Sequence, residues 1–145
     1  MIKNGGQTIL VVDDVEETLD GIEVLLKRDG YCINAARDEQ DAAHKMRFNS
    51  TDLMLVSLDG EIADVIAVAR RIRASAGSNK NLPIIIFCVG ELKEGGESAA
   101  GDNIYLAHPD NFNQLRDLIA SLLLRFTSGA RIQSDPNSIK KISTL

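Results

Sequence analysis

The chain has 145 residues, 44% apolar and 26% charged, with a formal net charge of −5. That length suits a single domain with its own core, and the acidic balance offers no basic footprint for nucleic acid or an anionic membrane surface. No apolar run reaches the length of a membrane span, and the first apolar stretch is too short for a secretory signal.

Two cysteines, Cys32 and Cys88, make no disulfide framework. The expected location is therefore the cytoplasm.

In chain order, Ile9–Val12 is an uninterrupted apolar run, which predicts a strand covered on both faces. Val15, Leu19, Ile22, Leu25 and Leu26 follow helical spacing, and Gly30 supplies a stop. Tyr31–Ala35 predicts a second, weaker strand. Asp38 is the expected N-cap of a short helix over 38–48. Leu53–Val56 predicts the third strand, and Ile62, Val65, Ile66, Ala69 and Ile72 mark the next helix. Its Arg70, Arg71 and Arg73 read as a solvated basic side.

The turn-rich loop 77–83 leads into a fourth strand over 84–87. Segment 91–100 is expected as a helix, a poor one because Gly95 and Gly96 interrupt it. Ile104–Ala107 is the fifth strand. Asp110 or Asn111 then caps a last helix with Phe112, Leu115, Ile119, Leu122 and Phe126 on its inner side. Beyond Phe126 the chain is polar. Residues 1–126 carry 13 basic against 20 acidic side chains, and 127–145 carry three against one. The expected organisation is one domain over 1–126 and a polar tail or linker over 127–145.

Five strands alternating strictly with five helices imply an α/β fold with a doubly wound parallel sheet. Such sheets bind ligands at the C-terminal ends of their strands. The residues standing there are Asp13 and Asp14, Ser57 and Asp59, Cys88, and His108 before Pro109.

The runs "ILVVDD", "DLMLVSL", "LPIIIFCV" and "IYLAHP", in that order, resemble the receiver domains of bacterial response regulators. The resemblance covers about residues 7–126 and implies the flavodoxin/CheY-like three-layer sandwich, five parallel strands in the order 2-1-3-4-5. In that family a histidine kinase passes a phosphoryl group to an aspartate ending the third strand, beside an acidic pair that holds Mg²⁺. A Ser or Thr after the fourth strand and a Lys after the fifth contact the phosphoryl oxygens. Carried onto this chain, the acidic pair is Asp13 and Asp14, and Ser57 falls on the phosphoacceptor. Cys88 falls on the hydroxyl position, His108 on the lysine, and Tyr105 on the aromatic whose rotation reports phosphorylation. Gly60-Glu61 replace the usual Met-Pro, and the stretch before the fifth strand is short.

Three of the five chemical positions are thereby changed. A serine hydroxyl is not a carboxylate, and Asp13 and Asp14 alone imply weak Mg²⁺ binding at most. The expectation is a pseudo-receiver: a signalling module of a two-component phosphorelay, not an enzyme, acting by protein–protein contact and needing no cofactor. Its expected partners are a histidine kinase or output protein, or a second copy through the 104–125 face. Asp59, two residues past Ser57, is the alternative acceptor, although a solvated turn aspartate is the simpler reading. Cys88, His108 and Asp13 or Asp14 raise a thiol-nucleophile alternative without an oxyanion motif, and a Zn²⁺ alternative without sequential ligand spacing.

Overall fold

The computed structural model describes residues 7–14, 16–76, 81–87, 92–109 and 111–132. Six strands form one sheet: β1 (Thr8–Asp13), β2 (Cys32–Ala36), β3 (Leu53–Ser57), β4 (Ile84–Phe87), β5 (Glu97–Gly101) and β6 (Ile104–Ala107). Their order is β2-β1-β3-β4-β6-β5, parallel throughout except for β5, which runs antiparallel to β6 at the edge. Among the described residues there are four helices, α1 (Glu16–Arg28), α2 (Glu39–Phe48), α3 (Ile62–Ala74) and α4 (Phe112–Ile132).

The period-2 alternation of the buried strands sends successive side chains to opposite faces. Leu10, Val12, Met54, Val56, Ile84 and Ile86 meet Ala42 and Met46 of α2 and Val65, Ala69 and Ile72 of α3. Ile9, Val11, Leu53, Leu55 and Ile85 meet Leu26 of α1 and Leu115, Ile119, Leu122 and Leu123 of α4. Each fully buried Leu or Ile contributes roughly 1.5–3 kcal/mol relative to an exposed one. These two slabs fix the register, because a one-residue slip would exchange the faces of a whole strand.

Local signals act where the sequence places them. The Asp38 side chain accepts from the Asp41 N–H at 2.8 Å and caps α2. Asn111 does the same for α4, accepting from the Gln114 N–H at 3.0 Å. After α1, Gly30 sits at φ 97 and its N–H reaches the Lys27 carbonyl at 3.0 Å, the left-handed exit that glycine favours.

Two expectations fail. The sheet has six strands rather than five, and the helix expected over 91–100 is replaced by the edge strand β5. Leu92 is the one large apolar side chain between Glu91 and Asn103, so a helix there would have had nothing to bury on the sheet. A strand needs only backbone partners, and Asp102 and Asn103, both left-handed at φ 59 and 60, make the tight turn that pairs β5 with β6. Consequently β6 is an interior strand, and β5 stands at the edge of the expected 104–125 face.

On the basic side of α3, Arg70 and Arg71 are exposed as expected, and Arg73 is not. Arg73 is 4% exposed. Its guanidinium donates to the Leu82 and Asp102 carbonyls at 3.1 and 2.8 Å and to the Asp102 carboxylate at 2.7 Å. Arg71 forks onto Glu39 of α2 at 2.7 and 2.9 Å, which holds the Glu39 carboxyl below its usual range. The last helix runs past Phe126 to Ile132.

Candidate functional site

The parallel strands β1, β3, β4 and β6 end together, and the candidate residues collect at these ends. Asp13, last in β1, is in register with Ser57, last in β3. Neighbouring strands lie about 4.8 Å apart, so these two backbones are adjacent. Asp13 is fully buried, whereas Ser57 is half-buried. The structure thus brings together the acidic position and the position where the family resemblance needs a second carboxylate. A neutral hydroxyl stands there.

Asp14 is exposed, and its Oδ2 accepts from the backbone N–H of Asp59 at 3.4 Å. The side chain of Asp14 therefore lies against the turn after β3. Asp59 itself is exposed, beyond the strand end. Gly60 follows at φ 129, a conformation that L side chains rarely adopt, which accounts physically for glycine in that turn.

His108, just past β6, is half-buried and its ring is engaged elsewhere. Nδ1 lies 3.0 Å from the Leu92 carbonyl. A carbonyl can only accept, so Nδ1 carries the proton and donates. The His108 backbone N–H donates to the Gly96 carbonyl at 2.9 Å, and its carbonyl accepts from Gly95 at 2.6 Å. The residue at the lysine position thus fastens the turn that leads into β5. Gln114 of α4 fastens the same turn, donating to the Gly95 carbonyl at 2.8 Å and to Glu97 at 2.9 Å. Sequence reasoning missed this use of His108, and the neighbouring glycine pair is the one feature that hinted at a tight turn.

Tyr105 is half-buried on the α1/α4 side of the sheet, between Ile85 of β4 and Ala99 of β5 in the strand register. Cys88, the hydroxyl-position candidate, lies outside the described residues, and with it the thiol and Zn²⁺ readings.

Mg²⁺ prefers several oxygen ligands, with one or more carboxylates among them. Among the described residues, no group of three or more His, Cys, Asp or Glu side chains is gathered to hold a metal ion. Ser57 removes a carboxylate and Asp14 turns to the Asp59 N–H. The residues present do not fit a magnesium site of the receiver kind.

No protein-family model matches the chain. Solved structures do. The receiver domain of a sensor histidine kinase from Pseudomonas aeruginosa, with magnesium coordinated in its active-site cleft, is 24% identical at a TM-score of 0.63, covering 82% of this chain and 98% of that one. A two-component response regulator from Clostridium difficile is 19% identical at 0.62, covering 83% and 98%. A chain from the complex of histidine kinase ThkA with response regulator TrrA, the latter from Thermotoga maritima, is 22% identical at 0.63, covering 81% and 98%. At these identities the likeness is one of fold. The fold is like that of these receiver domains, with the edge strand β5 where a helix is expected between β4 and β6. Among the described residues, no helix is long and apolar enough to cross a membrane.

Proposed function

We propose that this chain is a pseudo-receiver, a cytoplasmic signalling module of a two-component phosphorelay that works by protein–protein contact and does not accept a phosphoryl group. The observation that carries this reading is Ser57 in register with Asp13 at the sheet end, where acyl-phosphate chemistry requires a carboxylate. The His108 ring is fastened through Nδ1 to the Leu92 carbonyl, and it is an imidazole where the resembled pattern has a lysine. On this reading the module spans 1–126, and 127–145 is a polar tail or linker whose first residues continue α4 to Ile132. The partner is a histidine kinase or an output protein, as ThkA is for TrrA.

A second reading has one observation in its favour. Asp59 lies beside Asp14 through its backbone N–H, so a displaced acceptor would still adjoin one member of the acidic pair. Incubation with acetyl phosphate and Mg²⁺ followed by intact mass separates the two. The expected result is an unchanged mass. A gain of one phosphoryl group would overturn the pseudo-receiver reading, and its loss in Asp59→Asn would move the acceptor role to Asp59.

A further inference from the structure

We infer that β5 is a self-pairing edge, through which two copies of this chain join their sheets antiparallel. This goes beyond the pseudo-receiver reading and does not depend on it.

The two edges of the sheet are built differently. β2, at one end, is half-buried over most of its length, and its Ala35 carbonyl accepts from the Lys45 ammonium of α2. A lysine over an edge strand is one of the standard guards against pairing. β5, at the other end, is exposed at all five residues and has β6 on one side only. Its sequence, Glu97-Ser98-Ala99-Ala100-Gly101, contains no lysine, no proline and no bulky side chain. Its guards are one carboxylate and a register shift between Ala99 and Gly101. The strand is nevertheless held in place, by His108 and Gln114 at its entry and by the Asp102-Asn103 turn at its exit. A fixed edge can present its backbone to a partner without first being ordered.

A second copy is the occupant the side chains favour. The antiparallel register that overlaps all five residues has its two-fold axis at Ala99. Ser98 then faces Ala100 of the other copy, and Glu97 faces Gly101. The single charge of the strand therefore meets no like charge, and every opposed pair is small enough to avoid a clash. Such a two-fold contact closes on itself and ends at a dimer. Ala99 is opposite its own copy, at a separation of about 4.5–5.5 Å between Cα atoms.

That register gives two tests on the full chain. Sedimentation equilibrium should find a concentration-dependent dimer of the unaltered protein. Ala99→Lys, which places two ammonium groups opposite one another at an exposed position, should raise the dimer dissociation constant about fivefold or more, with an unchanged circular dichroism spectrum. Ala99→Cys, mildly oxidised in a background with both Cys32→Ser and Cys88→Ser, should cross-link to a dimer on a non-reducing gel, since a disulfide spans this separation. That background alone should not. A protein that stays monomeric at every concentration overturns the inference. So does a dimer that Ala99→Lys leaves intact, or an Ala99→Cys variant that cross-links no more than its background.

Discussion

Arg73 shows how much a single side chain can hold. It sits in the last turn of α3 beside Arg70 and Arg71, and helical spacing puts it, four residues past Ala69 and seven past Ile66, on the apolar side, with Arg71 opposite. Only Arg73 is buried, and it satisfies two backbone carbonyls besides the Asp102 carboxylate. One of those carbonyls, Leu82, precedes β4, and the other, Asp102, belongs to the β5–β6 turn. The guanidinium therefore joins a helix to two points of the sheet. Arg73→Met keeps most of the apolar stem but leaves the buried Leu82 carbonyl without its donor, which should cost about 2 kcal/mol in urea unfolding. Arg70, half-exposed and 3.3 Å from the same carboxylate, should cost less than about 0.5 kcal/mol when replaced by Met. Equal effects of the two substitutions would contradict this division of roles.

At the scale of elements, the parallel strands and the four helices were legible because their signals are local and redundant. Runs such as Ile84–Phe87 carry a continuous apolar signature, and Asp38 and Gly30 punctuate α2 and α1 as capping chemistry requires. The edge strand was not legible. Ser-Ala-Ala-Gly has no periodicity to read, and what makes it a strand is the pairing with β6 and the fastening by distant side chains. The Asp-Asn pair before Ile104 was the available signal, since both residues tolerate left-handed backbone. At the candidate site, the departures of Ser57 and His108 from the resembled pattern were plain in the sequence. The engagement of His108 with Leu92 was not, because it depends on a turn that the expected helix would have excluded.

The fastening predicts a local effect. In His108→Ala the Leu92 carbonyl loses its donor, worth about 1 kcal/mol, so amide exchange in Glu97–Gly101 should quicken about fivefold. Amides of β1 and β3 should exchange as before. Uniform acceleration across the sheet would mean that His108 supports the whole fold and not this turn.

For the whole molecule, the packing of α1 and α4 on one face links stability to alkaline pH through Tyr31. This phenol is 6% exposed, in the core slab between the end of α1 and α4. Next to it, Arg116 of α4 forks onto Asp29 at 2.6 and 3.1 Å, joining the two helices. Burial raises the Tyr31 pKa above its ordinary value of 10.0, the Asp29 carboxylate raises it further, and Arg116 opposes both. The unfolded chain therefore loses this proton at a lower pH than the folded one. A raised folded pKa means a contribution fully present below the unfolded value and lost as pH rises through the folded one. Between roughly pH 10 and the folded pKa, the unfolded state gains a phenolate that the folded state resists, and stability falls. Tyr31→Phe removes the titration while keeping the ring. Urea midpoints for the two proteins should keep a constant separation up to about pH 9 and then shift in favour of the variant as pH rises. Every other side chain is common to both proteins, so its share cancels in the difference. A separation that stays flat through the alkaline range would show that Tyr31 ionises no harder in the folded chain than in the unfolded one, and that the α1–α4 slab does not exclude water from it.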